Sequence, residues 1–314
     1  GTLAAHRLDI NGSSAMRPPA WTDTLFGAAP QRSGTLKLRG EGRWQADTNG
    51  GGQWRAKLDE LDARGSSATQ SWVAARDAEL RLAIDAQGRV TEAQAQPGAA
   101  RVLGAALTWR EARARQESIR VREPLALDAQ LETLAIAPWL QRWQPGAGFG
   151  GDLHVKGRAL VRNGSSFAAD IVLERAGGDL TVTSEGVTQT LGMTDLRLSL
   201  AAEQGTWHFA QAVAGSNLGV LVGATSVRLP PTATWPAPET PMQGVLEWRV
   251  ADLGVWAPFT PPGWRVGGRL RTSAAIGGRF GAPEIEGRME GSGLAVRNLL
   301  QGVDLRDGDL ALSL

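Results

Sequence analysis

The sequence has no cysteine and no tyrosine, and only three histidines and four methionines among its 314 residues. Without cysteine there is no disulfide, no thiolate nucleophile and no Cys-ligated metal. The lack of stray thiols fits an oxidising compartment. A dominant charge is also missing. The net charge is +1, so no global field points to nucleic acid or to an acidic substrate. No run of eighteen apolar residues occurs, and no segment reads as a bilayer-spanning helix. The first residues, GTLAAHRLDI, lack the basic and apolar regions of a secretory leader, and the last, DGDLALSL, stop within an alternating run. Both ends read as those of a fragment whose targeting signals lie elsewhere.

What is abundant is glycine, at 40 residues, well above the usual ~7%. Hydrophobic residues make up 42%, ordinary for a packed protein. Their dominant spacing is two. Leu36 and Leu38; Leu80, Leu82 and Ile84; Leu125, Leu127 and Leu131; Leu153 and Val155; Leu180 and Val182; Leu196, Leu198 and Leu200; Val220 and Val222; Leu270; and Leu310 and Leu312 all alternate with polar or small residues. In a strand, residues two apart share a face. Each run therefore predicts one apolar and one wet face, as in antiparallel sheet, and these positions are the candidates for lining an apolar groove. Leu196, Leu198 and Leu200 are expected to share a concave face with Leu180, Val182, Val220 and Val222. Turn signals separate the runs: Asn49-Gly50, Gln87-Gly88, Asn163-Gly164, Gly177-Gly178, Gln204-Gly205 and Asp307-Gly308. Helix is scarce. The stretch 134–143 predicts one short helix with Pro138 in its first turn, whereas 114–123, with Ile119 and Val121 between arginines, predicts strand.

A longer period overlies the short one. Gly34, Gly151 and Gly268 are 117 residues apart, as are Leu36, Leu153 and Leu270; Trp139 and Trp256 keep the same step, as do Pro145 and Pro262. Each unit reads as an aromatic-proline connector, a glycine turn and a train of strands. The predicted layout is one elongated region, 1–314, with units 34–150 and 151–267, the end of a preceding unit at 1–33 and the start of another at 268–314. Generic meander with recurrent turns is the simpler reading of the same pattern.

Catalytic chemistry finds little support. Gly146 to Gly151 matches a dinucleotide fingerprint in letters, but precedes a strand rather than a helix and reads as a turn. His6, His154 and His208 are far apart and read as solvated strand residues rather than metal ligands. Acidic pairs such as Asp59-Glu60 and Glu284-Glu286 alternate with apolar residues, as a solvent face would. The NGSS stretches at Asn11 and Asn163 contain a glycosylation sequon and are read as hairpin turns. No catalytic residue, cofactor or metal site is assigned. Six of the twelve tryptophans (Trp21, Trp139, Trp143, Trp235, Trp256 and Trp264) stand in connectors, where an indole suits either packing or the rim of an apolar site.

From Ala257 to Leu314 the chain resembles the TamB family. The resemblance rests on Pro261-Pro262-Gly263 with Gly267-Gly268, on Gly281-Ala282-Pro283 leading to Gly287, on the Gly-Leu-Ala-Val strand at Gly293 and on GVDLRDG at Gly302. Residues 131–182 echo this block. The resemblance implies a periplasmic segment of an inner-membrane-anchored, AsmA-like bridge, with the anchor outside this sequence. It implies a non-enzymatic protein that carries phospholipid acyl chains toward the outer membrane, linked to outer-membrane protein assembly with a TamA-like barrel partner. The expected fold is all-β: an elongated antiparallel β-meander curled into a taco-like groove with an apolar interior and few short helices in the connectors. Two other readings stay open: a structural or adhesin-type β-solenoid with a dry core, and a β-helix polysaccharide-active enzyme.

Overall fold

The computed structural model describes residues 4–16, 32–65, 71–102, 104–115, 125–164, 167–184, 186–230, 233, 235–261 and 263–313. Strand accounts for 76% and helix for 5% of the structure, so the all-β antiparallel reading holds. Seventeen of the strands belong to one sheet and three to another. The chain divides into two compact units, residues 1–134 with 156–169, and residues 135–155 with 170–314. Most of the 114–123 stretch, together with Trp21, falls outside the described residues.

The first unit is a meander of β1 (His6–Met16), β2 (Arg32–Ala46), β3 (Gly52–Gly65) and β4 (Ser71–Ile84), then β5 (Val90–Ala95) and β6 (Gly98–Val102), then β7 (Ala105–Arg115) and β8 (Leu125–Ala135). β4 pairs with both β5 and β6, and both of these pair with β7. They are two strands rather than one because Pro97 between them has no N–H for the ladder. The carbonyl of Gln96 takes the Trp109 indole N–H at 2.7 Å instead.

Directly opposed residues of antiparallel strands share a face. The register therefore assembles the leucines. Leu38, Leu61, Ala75, Ala100, Leu107 and Leu131 form one row across six strands. Parallel rows contain Leu36 with Ala63 and Val73, Leu80 with Ala95, Ala112 and Leu127, and Leu82 with Ala93, Ala114 and Leu125. Ile84 closes the face opposite Gly52.

Two readings need correction here. His6 is not a solvated residue. Its Nε2 accepts the Trp54 indole N–H at 3.0 Å, with the rings parallel to within 4°, because Gly42 opposite leaves room for both rings. Asn11 lies within β1, paired with Lys37, and is not at a turn. The continuous partner strand β2 outweighs the local Asn-Gly preference.

The second unit holds helix α1 (Ala137–Trp143), with Pro138 in its first turn as expected, a 3-10 turn (Pro145–Ala147), and β9 (Phe149–Gly151). β10 (His154–Asn163) and β11 (Phe167–Gly177) follow, each with residues in both units. Then come β12 (Leu180–Ser184), β13 (Val187–Thr190), β14 (Met193–Glu203), β15 (Thr206–Gly215), β16 (Gly219–Arg228) and β17 (Met242–Val250). A 3-10 segment (Leu253–Phe259) leads to β18 (Arg265–Arg279), β19 (Ala282–Asn298) and β20 (Val303–Ser313). Strands β14 to β20 pair consecutively. Asp307-Gly308 lies within β20 rather than at a turn: Asp307 has φ 51°, beside the register break opposite Leu294.

β9, β12 and β13 form the separate three-stranded sheet. Gly150-Gly151-Asp152-Leu153 and Gly177-Gly178-Asp179-Leu180 repeat the same four letters, and the two copies meet antiparallel, with Leu180 opposite Gly151. Asp152 N donates to the Asp179 carbonyl at 2.9 Å, and Asp179 N donates to Asp152 Oδ1 at 2.8 Å. The Asp179 carboxylate accepts three further backbone N–H groups, from Leu180 at 2.8 Å, Met193 at 2.8 Å and Gly192 at 3.0 Å. Both second glycines are left-handed, Gly151 with φ 96° and Gly178 with φ 76°. A Cβ on Gly178 would run into the Asp152 carbonyl. Gly268, in the third position of the 117-residue period, is also left-handed at φ 105°, whereas Gly34 sits within the ladder of β2, opposite Gly65.

Asp179→Ala strands three amide donors in a half-buried place. It is expected to lower the unfolding free energy by roughly 2–4 kcal/mol while leaving the β-type far-ultraviolet spectrum unchanged. Thermal melts of the two proteins check this, and a change below about 0.5 kcal/mol contradicts it.

Candidate apolar cavity

The second unit contains a cavity of about 340 Å³. Its floor is one end of the β14–β15 hairpin, with Leu196, Leu198 and Val213, joined by Leu218 of the following turn. Its roof is the small sheet, through Phe149 of β9 and Leu180 and Val182 of β12, with Leu191 and Met193 following. The two helical connectors close the sides: Ile136 and Leu140 at α1, and Val255 and Trp256 in the 3-10 segment. Leu153, Val155 and Leu173 complete it. Every lining residue is apolar. A space of this kind offers water no hydrogen-bond partners, and its volume lies at the lower end of small-molecule sites.

Burial is graded around it. Leu153, Val155 and Val182 are 2% exposed or less and form the packed part, whereas Leu198 is 40% exposed and stands at the rim. Trp256 packs edge-on against Trp248, with ring centroids 5.3 Å apart. At α1 the residue facing the cavity is Leu140, not Trp139. The two tryptophans spaced 117 apart therefore differ in role. One connector winds as α-helix and the other as 3-10 helix, so equal offsets do not point the same way.

The expected lining positions distribute as follows. Leu153, Val155, Leu180, Val182, Leu196 and Leu198 converge on the cavity. Leu180 and Val182 reach it from the small sheet, not from a strand beside β14. Leu200 continues the Leu196 face along β14, paired with Phe209. Leu270, Leu310 and Leu312 lie on that face farther along: Leu196, Val213, Leu221, Trp248, Thr272, Met289 and Leu312 form one cross-strand row, and Val250, Leu270, Gly291 and Leu310 another. In the first unit, Leu36, Leu38, Leu80, Leu82, Ile84, Leu125, Leu127 and Leu131 share the apolar face of their own sheet.

Val220 and Val222 are the exceptions. They pair with Ala214 and Ala212, which pair in turn with Asp195 and Arg197, and so they lie on the opposite, polar face. They are 43% and 39% exposed. On that face Val222 opposes Glu247. Hydrogen bonding from Arg249 first, then its charge and that of Arg271, holds the Glu247 carboxyl below the ordinary carboxylate range. The cause of the switch is turn length. β14 and β15 join through a two-residue turn at Gln204-Gly205, which exchanges odd and even numbers across the pair, while three residues between Gly215 and Gly219 preserve them.

Phe149, Leu191, Met193, Val213, Leu218 and Val255 lie outside the alternating runs that mark the expected lining. Most of them stand in connectors or strand ends where alternation is too short to register. The recurrence of Gly-Gly-Asp-Leu was the available signal for the roof. Among the described residues no group of three or more His, Cys, Asp and Glu is placed to hold a metal ion, and no helix is long and apolar enough to cross a membrane. No family model, curated protein or solved structure matches the chain.

Leu153→Ala removes a side chain that is 2% exposed, so a loss of about 2–5 kcal/mol is expected. Val222→Ala, on the wet face, is expected to change stability by about 0.5 kcal/mol or less. Urea denaturation midpoints separate the two, and equal losses would contradict the register assigned to β16.

Proposed function

We propose that this chain is a non-enzymatic lipid-carrying segment whose apolar sheet face and roofed cavity receive acyl chains. The observation that carries the reading is a cavity lined wholly by apolar side chains and rimmed by the exposed Leu198. An acyl chain gains about 0.8 kcal/mol for each methylene moved from water into such surroundings. No hydrogen-bond donor or acceptor is needed, because a hydrocarbon has none to match. In the full-length protein, following the resemblance of residues 257–314 to the TamB family, we place the segment in the periplasm. There it passes phospholipid between the inner and outer membranes, with a TamA-like partner in outer-membrane protein assembly.

Two adjacent positions on β14 make the test sharp. Leu198 rims the cavity, while Arg197 is on the other face, paired with Ala212. A photo-crosslinking residue at 198 is expected to yield lipid adducts by mass spectrometry, and one at 197 to yield none. Leu198→Arg sets a guanidinium at the apolar rim in place of hydrocarbon, which removes apolar contact from any bound chain, and is expected to reduce lipid co-purification. Arg197→Glu leaves it intact. Adducts at 197 but not 198 would overturn the cavity as the acyl-chain site, and no extractable lipid from a well-folded protein would instead support a dry-cored structural sheet.

A further inference from the structure

Across β1 to β4 the wet face of the first unit carries an ordered charge pattern with one break in it. In the row Asp9, Arg39, Glu60, Arg76, each residue opposes one of the other sign across β1 to β4. The next row, Arg7, Glu41, Lys57, Glu79, alternates again. Such pairing is what adjacent strands favour, since like charges directly opposite are destabilising. The row after that abandons it: Arg43 opposes Arg55, and Arg55 opposes Arg81. All three are exposed. Their guanidinium groups make no ion pair or hydrogen bond among the described residues, whereas Arg39 pairs with Glu60 at 3.5 Å, Arg110 with Asp128 at 3.2 Å and Arg115 with Glu92 at 3.0 Å. On the far side the flanking row is Gln45, Gln53 and Ala83, which is neutral and offers two amide donors.

We propose that Arg43, Arg55 and Arg81 form a binding ladder for a linear, phosphate-bearing polyanion lying across β2 to β4, with Gln45 and Gln53 as auxiliary donors. Three guanidinium groups one strand apart span about 10 Å. Each presents a fork of donors matched to two oxygens of a phosphate group. A narrow chain of anions along this row meets only arginine and glutamine. A flat anionic membrane would also meet Glu41 and Glu79 in the adjacent row, so the linear ligand is the better fit. This site is on the opposite face of the strands from Leu38, Leu80 and Leu82 and does not depend on the lipid-carrying reading.

The test titrates the whole chain with fluorescently labelled inorganic polyphosphate and with vesicles containing an anionic phospholipid. Polyphosphate is expected to bind, with affinity falling as salt rises because counterions are released. Arg55→Gln, at the centre, is expected to weaken it about tenfold, as loss of one charge-assisted contact does. Arg55→Lys is expected to recover part of the loss, and Lys57→Gln to change affinity by less than about twofold. Without ligand, Arg55→Gln is expected to raise the melting temperature, because it relieves repulsion; a merely structural arginine would lower it. Absence of binding near 50 mM salt, equal losses for Arg55→Gln and Lys57→Gln, or a preference for the vesicles overturns the proposal.

Discussion

The second unit depends on one reciprocal contact, the meeting of the two Gly-Gly-Asp-Leu turns. A three-stranded sheet of short strands is marginal by itself in water. Here it is held at its ends by Asp152 and Asp179, which bond each other's backbone, and Asp179 also takes the amides of Leu180, Gly192 and Met193. That carboxylate ties the end of β13 and the start of β14 to the small sheet. The glycines before each aspartate are required by the close approach of the two backbones. The leucines after them, Leu153 and Leu180, then turn into the same apolar cluster.

With the roof anchored, the rest follows from covering an apolar face unevenly. The β14–β20 face is closed at one end by the small sheet, α1 and the 3-10 segment. At the other end Trp207 is 2% exposed, packed against Phe209 and against Trp235 beyond β16. Between these ends Ile285 and Leu312 remain about half exposed. A sheet that buried its whole apolar face would have a dry core and no room for a guest. This one keeps a roofed cavity beside open apolar surface, the arrangement that the lipid-carrying proposal needs. On the wet face of β1 to β4 charges alternate across the strands in two successive rows, and the Arg43, Arg55 and Arg81 row departs from that pattern.

Much of this was legible from residue order. The alternation of Leu80, Leu82 and Ile84, or of Leu196, Leu198 and Leu200, places each set on one face of its strand whatever the neighbours are. Pro138 marks the single described α-helix, and Gln204-Gly205 marks a tight hairpin. Less legible was His6, whose surroundings come from Trp54, far away in sequence. Asn11 and Asp307 also misled, because local turn preference yields when a long partner strand continues the ladder.

The sequence by itself determined the class of structure and the chemistry of each strand face, since a period of two is a property of the strand alone. Tertiary structure decided which faces meet. Leu196 and Val220 are both even-numbered, yet a two-residue turn followed by a three-residue turn puts them on opposite sides of the sheet. Leu180 and Val182 read like two more positions in the same sheet, but the Asp152–Asp179 contact folds their strand over it as a roof. Register and layer depend on turn length and on long-range backbone bonds, and alternation, which is the same on every strand, carries no information about either.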